Sequence, residues 1–75
     1  MPVTEIRAHI TGTVWKVEAG AGEQLEEGDP ILILESMKME IPIDAPEDGQ
    51  VVEVKVQEGQ AVTEGDLVAL YQEED

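Results

Sequence analysis

Apolar and polar positions alternate with a period of two over much of the chain. Trp15, Val17 and Ala19 alternate with Lys16 and Glu18, and Val52, Val54 and Val56 alternate with Glu53 and Lys55. Such alternation predicts strands with one face inward and one in water. It also places Trp15 in the core or as a cap on it. Ile31-Leu32-Ile33-Leu34 and Leu67-Val68-Ala69-Leu70 are unbroken apolar runs, the pattern of strands covered on both faces. Met39, Ile41 and Ile43 share a face, with Glu40 opposite. Pro42 has no backbone donor, so its strand belongs at an edge or turns its donor side outward. No stretch has helical periodicity. The turn signals predict an all-β flattened barrel or sandwich.

The chain also repeats itself. A shift of 37 positions, without a gap, lays Gly12-Thr13-Val14-Trp15-Lys16-Val17 over Gly49-Gln50-Val51-Val52-Glu53-Val54, and Glu27-Gly28-Asp29 over Glu64-Gly65-Asp66. Between positions 12–35 and 49–72, seven of 24 residues are identical, which is too regular for unrelated halves. Two copies are too few for a solenoid and fit one pseudo-two-fold domain spanning residues 1–75. The shift carries Lys38 onto Asp75. Lys38 is therefore expected at one pole and the chain ends near the other.

Composition narrows the function. At 75 residues the core is small, and with no Phe it must be built mainly from Val, Ile and Leu. No Cys is present, which excludes disulfides and thiolate metal sites and fits a reducing cytoplasm. Four basic residues against eighteen acidic ones give a net charge of −14. Such a field repels nucleic acid and anionic membranes and favours a basic protein surface as partner. Most of the scattered carboxylates read as a solvated face. Glu73-Glu74-Asp75 reads as a frayed acidic tail. The start lacks the basic and apolar regions of a signal peptide, and the longest apolar run is far too short to cross a membrane. With no Ala/Pro-rich linker before the fold, the chain reads as a free-standing module. A lone His9 without a partner motif does not point to a metal. One His likewise cannot support a serine–histidine–acid constellation, and no phosphate-binding glycine motif occurs.

One reversal breaks the local rules. Glu27-Gly28-Asp29-Pro30, Asp48-Gly49, Glu58-Gly59 and Glu64-Gly65-Asp66 all contain Gly, but the two-residue tip Met37-Lys38 does not. A tight hairpin tip wants Asn, Asp or Gly for its positive backbone angles. A departure from a rule obeyed elsewhere marks a candidate functional site. Here a lysine stands between two soft, adaptable side chains.

Glu35-Ser36-Met37-Lys38-Met39 resembles the attachment motif of biotinyl domains. The resemblance spans essentially the whole chain. Ala8-His9-Ile10-Thr11-Gly12-Thr13-Val14 is similar to the family's first-strand segment, although His9 and Thr11 stand where proline is common. Ala45-Pro46-Glu47-Asp48-Gly49-Gln50-Val51 is similar to its symmetric partner. The short segment from Ala19 to Gly28 leaves no room for an extra "thumb" loop, so the likeness is to thumbless biotin carboxyl carriers. The resemblance implies a barrel-sandwich hybrid fold and biotin joined covalently to Lys38. It also implies that Met37, Met39, Glu35 and Ser36 are read by a ligase or partner. Modification would come from a biotin protein ligase, and the ureido nitrogen would carry carboxylate from a biotin carboxylase to a carboxyltransferase. The unperturbed lysine pKa, near 10.4, and the nearby Glu35 and Glu40 favour the charged amine. No residue is placed as a base, so the lysine needs an enzyme to acylate it. The chain itself is a carrier, not an enzyme.

Two other readings stay open. A lipoyl domain of a 2-oxo acid dehydrogenase or glycine cleavage system shares the fold and a tip lysine. Lipoyl domains usually have an acidic residue before the lysine and a small one after it, whereas Met37 and Met39 occupy those places here. An unmodified barrel-sandwich module used for protein contacts is the third. The acyl acceptor is open among acetyl-CoA, propionyl-CoA, methylcrotonyl-CoA, pyruvate and urea.

Overall fold

In the computed structural model, which describes residues 3–74, eight strands form two four-stranded antiparallel sheets. They are β1 (Val3–Arg7), β2 (Gly12–Val17), β3 (Gln24–Leu25), β4 (Pro30–Ser36), β5 (Met39–Asp44), β6 (Gly49–Val54), β7 (Ala61–Val62) and β8 (Leu67–Glu73). One sheet runs β5-β4-β2-β7 and the other β1-β8-β6-β3. Each sheet thus takes two strands from the opposite half of the chain, β5 and β7 in one and β1 and β3 in the other, which locks the halves together.

The repeat in the sequence is a symmetry of the hydrogen bonding. The pairs Gly12↔Val62 and Thr13↔Ala61 become Gly49↔Leu25 and Gln50↔Gln24 after the same shift. The Ala45 N–H bonds the Asp29 carbonyl at 2.8 Å, and the Ala8 N–H bonds the Asp66 carbonyl at 2.9 Å. At both Gly-Asp turns the Asp carboxylate caps the turn it follows. Asp29 Oδ2 accepts from the Glu26 N–H at 2.9 Å, and Asp66 Oδ2 accepts from the Thr63 N–H at 2.8 Å. Gly28 and Gly65 complete these turns with φ of 91° and 94°, a conformation without cost for glycine.

The core is aliphatic except for Tyr71. Ile31, Leu32, Leu34, Val14, Val51 and Val68 are fully buried with it. The Tyr71 hydroxyl satisfies its burial by donating to the Glu47 carbonyl at 2.6 Å. Pro42 lies in β5, an edge strand, as its missing donor allowed.

Three expectations need correction. Trp15 is 46% exposed and neither fills nor caps the core. A bulge shifts the register between Val14 and Lys16, so Trp15 is an extra residue turned outward, and Val52 does the same in β6. A bulge inverts the phase of an alternating pattern, which is why simple alternation misplaced both residues. The two apolar runs are not covered on both faces either. Register shifts set Ile31 and Val68 between paired residues, so two successive side chains turn inward, while Ile33 and Leu70 on the outer face are half-buried. Finally, the acidic tail is not frayed as far as it is described. Glu73 pairs with Gly49, and the Glu74 N–H bonds the Asp48 carbonyl at 2.9 Å. Asp75 lies outside the described residues, as do Met1 and Pro2.

Glu73 brings its carboxyl against that of Glu47. The hydrogen bond between them, then the negative charge of Glu73, raises the Glu47 pKa above its ordinary value. A carboxyl with a raised folded-state pKa contributes stability below its unfolded pKa and loses it as pH rises through the folded one. Glu73→Gln is therefore expected to raise the melting midpoint at neutral pH. It should also flatten the gain in stability expected of the native protein as acidification protonates Glu47. Thermal melts of both proteins across that titration check this, and parallel pH profiles would count against it.

Candidate functional site

The tip falls where the sequence placed it. Ser36 pairs with Met39, leaving Met37 and Lys38 as the two central residues of the β4–β5 turn. Their φ values are 53° and 67°, and they are the only non-glycine positive-φ residues among those described. Positive φ at both central positions is the signature of a type I′ hairpin turn. Neither Met nor Lys is suited to that conformation, which costs an L-residue about 1 kcal/mol. Strain of this kind persists where the surroundings enforce it. Here the enforcing frame is β4, which is paired to β5 on one side and β2 on the other.

The same frame lifts the tip away from the body. Met37 is 92% exposed, and Lys38 and Met39 are also exposed. Ser36 is half-buried and closes the turn, while Glu35 and Glu40 face each other in the next pair. Gly12, at the start of β2, backs the base of the hairpin so closely that a Cβ there would come within 2.5 Å of the Glu35 carbonyl oxygen.

Lys38 also differs from the other basic residues in its company. Arg7 pairs with Glu5 at 2.7 Å, Lys55 with Glu53 at 3.1 Å and Lys16 with Glu18 at 3.8 Å. The last two pairs are symmetry mates with their signs exchanged. Among the described residues no carboxylate pairs with Lys38. Its amine is held out in water, free to be acylated by an enzyme that can deprotonate it.

Glu74, the last described residue, lies at the other pole. Pro30, at the opposite end of β4 from Ser36, pairs with Asp44. Beyond Asp44 the chain turns through Asp48, whose carbonyl accepts from Glu74. The six steps along β4 alone separate this end from the tip by about 20 Å.

The structure therefore gathers Glu35, Ser36, Met37, Lys38 and Met39 at one hairpin end. His9 stands three residues before Gly12, which backs this hairpin, but no group of His, Cys, Asp or Glu suited to hold a metal occurs among the described residues. The cleft of about 370 Å³ lined by Gln24, Leu25, Glu26, Asp29, Asp48 and Glu74 lies at the pole of the chain ends. It has no part in the tip. The sequence reading assigned Trp15 to the core or its cap, and its outward turn follows from an unforeseen bulge.

Known proteins resemble this chain in sequence and in backbone fold. The chain is 51% identical over 63 residues to a biotin/lipoyl attachment protein of Bacillus subtilis, covering 84% of this chain and 86% of that protein. It is 42% identical over 66 residues to a homolog, in Mycobacterium leprae, of the biotinylated protein TB7.3, covering 88% and 93%. Its backbone matches part of the crystal structure of the urea carboxylase of Kluyveromyces lactis with a TM-score of 0.90 at 33% identity, covering 96% of this chain but 6% of that one. The family model described as biotin-requiring enzyme, of the biotin/lipoyl type, matches residues 1–70. With that match covering nearly the whole chain, and close relatives covered over most of their own length, this chain belongs to the biotin-requiring enzyme family.

Proposed function

We propose that the chain is a biotin carboxyl carrier, a single domain over residues 1–75 with Lys38 as its attachment site. One observation carries the reading. The single lysine or arginine without a carboxylate partner among the described residues sits at the strained, protruding tip, between exposed methionines. The tip fits a covalently joined cofactor because the amine is exposed and engaged by no neighbour. Biotin, amide-linked to the Lys38 Nζ, supplies a ureido nitrogen that takes up carboxylate and gives it up again.

What the chain contributes is presentation. The paired β4 and β5 hold the lysine clear of the sheets. Met37 and Met39 offer adaptable apolar contacts to a succession of enzyme surfaces. A tethered group samples those surfaces at high effective concentration without being released. The partners are a biotin protein ligase, a biotin carboxylase and a carboxyltransferase, all in the cytoplasm. The chain acts as a substrate of these enzymes and is not itself an enzyme. No helix among the described residues is long and apolar enough to cross a membrane.

The test is an intact mass after incubation with biotin protein ligase, biotin and ATP. A gain of one biotinyl group supports the proposal. A gain of lipoyl mass after expression with lipoylating enzymes, and none with biotin, would move the chain to the lipoyl carriers.

The turn strain gives a second expectation. Asn accepts positive φ more readily than Met, so Met37→Asn should stabilise the fold by about 1 kcal/mol. The same change removes an apolar contact and should slow ligation. A melt and a ligation time course together check both halves. A variant that is less stable and modified at the native rate would show that Met37 is structural.

A further inference from the structure

Pseudo-symmetry supplies an internal control for the strand positions on the outer faces, because the paired strands of one sheet have described counterparts on the other. On the outer face of the tip-bearing sheet, Glu35 and Glu40 stand directly opposite each other. Both are exposed, and no cation pairs with either among the described residues. Like charges facing each other across two strands are unfavourable. The symmetry-related pair is Gln72 and Val3, which carries no charge. The fold therefore does not require two carboxylates at this register.

The apolar part of the same face is distinct in a parallel way. Trp15 projects from the β2 bulge beside the Lys16–Ile33 pair, and Ile33 pairs with Pro42 on its other side. The counterparts of Trp15, Ile33 and Pro42 are Val52, Leu70 and Glu5. A large half-exposed aromatic and a proline thus replace a valine and a glutamate on the sheet that bears Lys38. Ile33 lies about 13 Å up the strand from Met37, within reach of a protein seated on the tip.

We propose that this outer face, with Trp15 as anchor and Glu35 and Glu40 as an anionic clamp, is the docking surface for biotin protein ligase. The inference rests on the carrier reading and adds Trp15 and Glu40 to the residues of the tip as specificity determinants. The ligase surface that fits presents a basic side chain to the two carboxylates and an apolar group to Trp15 and Ile33. The ligase is the occupant for a physical reason. Enzymes that act on the loaded carrier can grip the cofactor, and the tether raises its local concentration for them. The ligase meets only protein, and must tell Lys38 from every other lysine by the surface around it. Half-exposed tryptophan is the side chain that most often dominates such a contact. Paired charges add rate and register.

The experiment is steady-state ligation of the full chain with purified biotin protein ligase, biotin and ATP, read by intact mass. Trp15→Val installs the residue that the symmetric bulge already accepts. It is expected to raise KM for the carrier about tenfold with kcat within about twofold. Glu40→Gln is expected to raise KM about threefold and to flatten its dependence on salt. Val52→Ala, on the opposite sheet, should leave both constants unchanged. A merely structural role for Trp15 would lower the melting midpoint and leave KM alone. Glu40→Gln, at an exposed edge position, keeps the test alive if Trp15→Val fails to fold. Native KM and native salt dependence in Glu40→Gln, or native KM in a folded Trp15→Val, overturn the docking surface while the carrier reading stands. A native chain that gains no biotinyl mass overturns both.

Discussion

Lys38→Arg should abolish biotinylation completely while leaving the melting midpoint unchanged. The substitution keeps the positive charge and an equally long side chain at a position with φ of 67°. It therefore preserves the electrostatics of the tip and whatever strain the turn holds. What it removes is a primary amine that can be deprotonated, since a guanidinium stays protonated in proteins. Because Lys38 is exposed and unpaired with any described carboxylate, no packing or ion pair is lost. Lys16 and Lys55 provide the contrast, each lying beside a glutamate on a sheet face. Lys16→Arg and Lys55→Arg should be modified as the native chain is. Intact mass after exhaustive ligation decides. Residual incorporation in Lys38→Arg would place the attachment site elsewhere, and loss of the fold would mean that Lys38 has a structural duty.

The tip was legible because its chemistry is local. A two-residue reversal lacking Gly, Asn and Asp, in a chain whose other turns use Gly, needs no tertiary information to stand out. The positive angles at Met37 and Lys38 are the physical content of that anomaly. The duplication was legible too, and it carried more than composition could. It foretold matching strands and a lysine pole opposite the described ends of the chain, though not the bulges that the two halves share. Trp15 and Ile31 show where such legibility stops. Whether an apolar residue points in or out depends on its phase relative to the partner strand. A bulge changes that phase by inserting one residue whose only signal is in the pairing. The Glu47–Glu73 contact was invisible for a related reason, because it joins residues far apart in sequence. The face shared by Trp15, Glu35 and Glu40 needed the register before its members could be seen as neighbours.

Gly49 is the position where one methyl group should do most damage to the fold. The sequence presented Asp48-Gly49 as a turn, but Gly49 is buried at the start of β6 and has no positive φ. Its lack of a side chain serves close approach instead. A Cβ there would collide with the Gln72 carbonyl oxygen and lie 2.8 Å from Cε2 of Tyr71. Neither neighbour can yield cheaply. The carbonyl belongs to β8, paired with both β1 and β6. The Tyr71 ring is fully buried and pinned by its hydroxyl to the Glu47 carbonyl at 2.6 Å. Overpacking of this kind costs about 3 kcal/mol, a large share of what so small a domain has to lose. Gly49→Ala should therefore lower the melting midpoint by about 12 to 24 °C. The symmetric substitution separates strain in the body from strain at the tip. At Gly12 a Cβ meets the Glu35 carbonyl oxygen at 2.5 Å, but its other close neighbours are 3.3 Å and 3.4 Å away and no buried ring stands behind it. Gly12→Ala should cost less stability than Gly49→Ala and more ligation rate, because the strand it displaces is the one that carries Lys38. If Gly49→Ala melts within about 2 °C of the native chain, the close approach of β6 to β8 is not what holds the second sheet.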